Sequence, residues 1–226
     1  MTFVNTLFTS LDRSGVIRGL LSDPDDFFAR QSADPSFAAP VAVVFVAGVA
    51  INLNTVLVLP ALAESLSGRS ETIARVVTLV GAAGGTLGIF GLWFIYAGTF
   101  HTISVYFDGD GRFRTLFLLT GWGFLPLVLQ GVFGAAMFQY TLQHVTVPQD
   151  PAQFDSFVGG LNDRPPLLVS SATRLVFLAW QAVLWTFAVS HGRRLSVREA
   201  LATVGPAVFV TLAVNVHSVA GAVLAG

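Results

Sequence analysis

From Val76 to Phe107 the chain carries no Asp, Glu, Lys or Arg. A helix crosses the hydrocarbon core of a bilayer in roughly 20 apolar residues, so this run is longer than one crossing needs and is expected to tilt or to continue as helix beyond the headgroups. A second uncharged gap lies between Asp34 and Glu64. Composition agrees: 54% of the residues are apolar and 11% charged, too little polar side chain to coat a soluble globule. Lipid is therefore the expected solvent for much of the surface, and the spans are expected to be helices, which satisfy their own backbone groups.

The pattern of gaps gives an all-α fold, a polytopic membrane protein with a five-helix bundle. The spans fall at about 40–63, 76–107, 113–138, 167–190 and 197–220, which makes residues 40–226 the membrane domain and residues 1–39 an N-terminal region of amphipathic or interfacial helices. In that region Phe3, Leu7, Phe8 and Leu11 share one helical face, extended by Val16, Ile17, Leu20 and Leu21, with Asp12, Arg13 and Arg18 opposite. Such a helix suits either the headgroup layer or the end of the bundle. Asp23 before Pro24 has the chemistry of an N-cap, with Asp25 and Asp26 at the positive end of the helix dipole. Asp34-Pro35 and Asp150-Pro151 repeat the device, so these carboxylates read as architecture. Residues 1–30 lack a long apolar stretch, and a cleaved signal peptide is not expected.

The stretch Trp93–Pro126 reads as a helical hairpin: the end of the second span, the turn Asp108-Gly109-Asp110-Gly111, the basic pair Arg112 and Arg114, and a third span that Pro126 should kink. Gln130 is placed to satisfy backbone groups freed by that kink. The second span also carries Gly81, Gly84, Gly85, Gly88 and Gly91, whose missing side chains suit close helix packing and put this span in the bundle centre or at a homo-oligomer seam. In the loop 139–166, Phe154, Phe157, Val158 and Leu161 follow helical spacing and suggest a short surface helix. Arg174 lies inside the start of the fourth span, where it can snorkel outward, pair with a neighbour or line a pathway, the first being the commonest solution. The turn His191–Leu195 holds Arg193 and Arg194, and Ser196 with Glu199 forms a capping box for the last span. Val197, Arg198, Ala200, Leu201 and Gly205 loosely echo Phe113, Arg114, Leu116, Phe117 and Gly121, a hint that spans two and three are duplicated in spans four and five.

In order and spacing, several of these pieces resemble the Yip family of five-span, Rab-interacting and Golgi-associated membrane proteins, in particular its archaeal and bacterial branch. They are Pro24, Asp25, Asp26, Phe27 and Phe28; the run Trp93–His101 before a Gly-rich turn; Gly109–Phe113; and Gly121, Trp122, Gly123, Phe124 and Pro126, similar to a Gly-aromatic-x-x-x-Pro span. The resemblance implies a non-enzymatic membrane scaffold that acts in membrane trafficking. The longer cytosolic domain and Tyr-Gly-Pro element of the eukaryotic members have no counterpart here, so Rab binding is carried over to no residue.

Eight Arg fall on the side of the N-terminal region and the two tight turns and four on the other. By the positive-inside rule the N-terminus is then cytosolic and, after five spans, the C-terminus outside. A metal reading of the DGDG turn lacks the remaining ligands of a calcium loop. Zero Cys and four scattered His give no metal centre, and no nucleophile elbow, Walker loop or dinucleotide fingerprint is present. The expectation is no enzyme and no cofactor. A net charge of −1 argues against nucleic acid as a partner. Two functions remain. The first is a scaffold that binds a cytosolic or membrane protein through Asp108, Asp110, Arg112, Arg114, Arg193 and Arg194. The alternative is a small permease or channel using Asn52, Asn54, His101, Gln130, Asn215 and His217, which requires those six groups to converge.

Overall fold

The computed structural model describes residues 16–58, 69–145, 153, 157, 160–161 and 164–225. The expected face Phe3–Leu11, the acidic Glu64 loop, the Asp150-Pro151 pair, and Phe154 and Val158 lie outside these. Every regular element among the described residues is helical: α1 Val16–Ser22, α2 Pro24–Ala33, α3 Ala38–Ile51, α4 Leu53–Leu57, α5 Arg69–Ser104, α6 Phe113–Trp122, α7 Leu125–Gln143, α8 Pro165–Arg193 and α9 Val197–Ala225. Among the described residues four stretches are long and apolar enough to cross a membrane, Glu71–Phe107, Phe113–Gln143, Pro165–Arg193 and Val197–Val216. The protein is an all-α polytopic membrane bundle.

The first expected span enters as a broken helix. Asn52 sits between α3 and α4 because its side-chain amide donates to the Gly48 carbonyl at 2.8 Å while its own N–H turns back to Val49 at 3.2 Å, a local alternative to the helical ladder. Together α3 and α4 measure roughly 30 Å at 1.5 Å per residue, about the thickness of a hydrocarbon core.

A break also divides the third span, upstream of Pro126. The chain leaves the α-helical ladder at Gly123 and Phe124, whose N–H groups reach Thr120 and Gly121 at 3.1 Å each, and Pro126 falls in the first turn of α7, where its missing donor costs nothing. The carbonyls around this break are taken up by indoles: Trp93 Nε1 donates to Phe117 O at 2.7 Å and Trp185 Nε1 to Thr120 O at 3.1 Å. Gln130, expected to serve here, lies elsewhere. These tryptophans anchor the main core, with the Trp93 ring stacked on Phe117 at 4.0 Å and Trp185 against Tyr96, Phe100 and Phe124.

Short helix α2 caps this core. Asp23 Oδ1 accepts the Asp26 N–H at 3.1 Å and Pro24 opens the helix. Phe27 and Phe28 are buried, Phe27 edge-on to Trp122 at 5.2 Å, and Leu20 of α1 is buried beside them. Within the described residues the N-terminal region therefore packs on the bundle end instead of floating in headgroups.

The glycine-bearing N-terminal part of α5 lies at the periphery of the single chain, although Trp93 and Phe100 further along enter the core, and this differs from the central place its glycines suggest. Gly85 abuts the Asn52 side chain, whereas a Cβ added at Gly81, Gly84, Gly88 or Gly91 would meet nothing within 4 Å. Val77, Val80, Leu87 and Phe94 of the same helix point outward, suitably apolar for lipid.

Candidate functional site

Two hairpin turns meet at one end of the bundle, and they are built alike. After Ser104 the chain passes through a 3-10 turn, Val105–Phe107, to Asp108 in the left-handed region (φ 58°), and the Gly109 N–H returns to Ser104 O at 3.0 Å. After Ser190 the same spacing leads to Arg194, also left-handed (φ 57°), and the Leu195 N–H returns to Ser190 O at 3.0 Å. Each is a helix C-terminus closed by a residue in the left-handed conformation and a long backward hydrogen bond. The echo between the two hairpins thus extends to turn geometry, although Asp and Arg occupy positions where glycine is usual. Beyond the second turn the expected capping box forms: Ser196 N–H donates to Glu199 Oε2 at 2.9 Å and Glu199 N–H to Ser196 Oγ at 3.4 Å.

Arg193 ties the turns together. Its side chain is buried at 4% exposure, Nε donates to Ser104 Oγ at 2.8 Å, and its two terminal nitrogens donate to the carbonyls of Gly109 and Gly111. The Asp110 N–H completes the link to Arg193 O at 3.2 Å. Gly111 allows this approach, since a Cβ there would run into the Gly192 carbonyl. Arg193 is therefore part of the scaffold. Of the six residues expected to bind a partner, it is the one that has no free face.

Around this base a groove of about 600 Å³ opens between the end of α2 and the two turns. Asp110, Arg112, Arg114 and Arg194 line it, with His191 at its wall. Arg194 reaches Asp110 at 3.4 Å, and His191 Nε2 meets Asp25 Oδ1 of α2 at 2.6 Å. Arg112 and Arg114 are exposed and pair with no carboxylate among the described residues, so the groove carries a surplus of positive charge. Asp108 is exposed nearby without lining it. Among the described residues no cluster of His, Cys, Asp or Glu could hold a metal.

The polar groups within the spans gather only in part. Asn54, Gln130 and Asn215 line a half-open pocket of about 330 Å³ toward the opposite end of the bundle. Asn52 is spent on the helix break beside Gly85. His101 lies against Phe113 at 5.2 Å, away from that cavity, and the His217 side chain is outside the described residues. Sequence reasoning missed Gln181 and Ser170 as members of the same lining, while Arg174, for which lining a pathway was one of three options, joins it. Their spacing along α8 places 170, 174 and 181 on one helical face, a signal that was available.

An uncharacterized protein of Methanocaldococcus jannaschii is 29% identical to this chain over 117 residues, covering 48% of this chain and 78% of the relative. No solved structure matches. The Yip1 domain matches residues 18–216, which takes in the capped α2, both hairpins and the groove between them. On that match, the chain belongs to the Yip1 domain family of multi-pass membrane proteins.

Proposed function

We propose that this protein is a non-enzymatic membrane scaffold of the Yip type, whose turn end faces the cytosol and captures a protein partner through the groove between its two hairpins. One observation carries the reading: three arginines, Arg112, Arg114 and Arg194, surround a 600 Å³ groove whose floor is fixed by the buried Arg193. Exposed guanidinium groups on a rigid base suit an acidic segment of a cytosolic or membrane protein, since each can hold a carboxylate with two parallel hydrogen bonds. The positive-inside rule favours the same orientation. The bilayer is the other constant partner, and the open glycines of α5 leave room for self-association.

The test is co-purification of the tagged full chain from native membranes, comparing it with the variant R112A/R114A/R194A. The specific partner band should fall at least tenfold while helical content and melting temperature hold, and it should weaken with added salt, as contacts between exposed charges do. An unchanged capture profile would count against the groove.

A further inference from the structure

The half-open pocket toward the end opposite the turns is walled by all the long helices, and its chemistry is unusual for a membrane bundle. Arg174 lies 19 residues before Arg193 on α8, hence about 28 Å along the helix from the turn end at 1.5 Å per residue, which is the level of the far membrane interface. Its guanidinium has a distant hydrogen bond, from a terminal nitrogen to Asn215 Oδ1 at 3.4 Å, and its Nε is buried with no partner among the described residues. No carboxylate among the described residues pairs with it. Asn54 Oδ1, in the same lining, is likewise buried and without a partner among the described residues. Gln181 and Gln130 add two more amides. The side chain is half-buried, and its buried Nε lies at a pocket that also holds an open acceptor. Buried polar groups are rarely left so.

The cavity also has a route to lipid. Leu92, Tyr96 and Thr211 line both it and an apolar groove on the outer surface between α5 and α9, where Ile95 and Val210 face outward around Pro206. The hydrogen bond between Tyr96 Oη and Thr211 Oγ1, 2.8 Å, stands between the two spaces.

We propose that this cavity binds an anionic, single-chain lipid. Its charged oxygens lie on Arg174 and the amides, its hydroxyl donates to Asn54, and its acyl chain passes the Tyr96–Thr211 pair into the α5–α9 groove. At about 330 Å³ the cavity is at the small end for a ligand pocket, which suits a headgroup with the chain lying outside it.

Labelled lysophosphatidic acid, which carries a phosphate, a hydroxyl and one chain, tests this on the full chain in phosphatidylcholine nanodiscs. Binding should saturate, R174Q should weaken it at least tenfold, and R174K should retain part of it. Lysophosphatidylcholine and inorganic phosphate should fail to compete. Should R174Q not fold, L178W fills the cavity with Arg174 intact and should also abolish saturable binding. Wild-type binding by the folded variants, or equal competition by the zwitterionic lipid, would overturn the site. Full competition by inorganic phosphate would make it a free-anion site and overturn the lipid.

Discussion

Near the turns, Trp93, Trp122 and Trp185 are buried together with Phe28, Phe100 and Leu119, and even a guanidinium, that of Arg193, has its nitrogens matched to oxygen acceptors. Toward the other end the same helices enclose Asn54, Gln130, Arg174 and Asn215 around open space, where two buried polar atoms have no partner among the described residues, against one, His101 Nδ1, in the half nearer the turns. Arg193 is buried and its donors are matched, while Arg174 is half-buried and its Nε has no partner among the described residues. The contrast separates two tasks. The packed half holds the helices and presents a shaped, charged surface, while the loosely filled half has room to accept something and contributes less to stability.

Changes in the packed half should therefore cost most. Replacing Arg193 with Met removes three donated hydrogen bonds and strands the carbonyls of Gly109 and Gly111. Leaving such groups unmatched costs about 1–3 kcal/mol each where they are buried, so a loss of about 3 kcal/mol is expected, read from thermal unfolding in detergent. The same replacement at Arg174 should change stability far less. If both cost alike, the distinction between the halves fails.

A smaller effect is expected for Trp185→Phe. The ring stays among Tyr96, Phe100 and Phe124, but the indole hydrogen bond to Thr120 at the helix break is lost. About 1–2 kcal/mol should go. Hydrogen exchange at Gly123 and Phe124 should rise if the indole holds the break in place.

The smallest change should stabilise. Asp108 is held at φ 58°, a conformation that costs a side-chain-bearing residue roughly 1 kcal/mol and glycine almost nothing. Asp108→Gly should gain up to that amount in the same unfolding measurement. No gain would mean that the carboxylate compensates by a contact of its own.

Much of the packed half was legible in the residues. The Asp23 cap, the capping box of Ser196 and Glu199, and the hairpin around Asp108–Gly111 each rest on chemistry within a few positions of the chain, and each forms where that chemistry places it. What depends on distant partners was not legible. Arg193 and Arg194 are adjacent and alike, and only the backbone turning left-handed at Arg194 sends one inward and the other out to Asp110. The third span breaks at Gly123 instead of bending at Pro126 because Trp93 and Trp185, far away in sequence, supply donors just upstream. The glycines of α5 suggested a seam, yet of the five only at Gly85 would an added Cβ meet a neighbour within 4 Å.

Everything assigned to the groove requires the turn end to face the cytosol. Because the chain contains no cysteine, Asp110→Cys and His144→Cys can each be labelled with a membrane-impermeant maleimide in vesicles of known orientation. A cytosolic turn end predicts that Asp110→Cys reacts only in inside-out vesicles and His144→Cys only in right-side-out ones. Labelling of Asp110→Cys from the outside, or of both positions from one side, would contradict it.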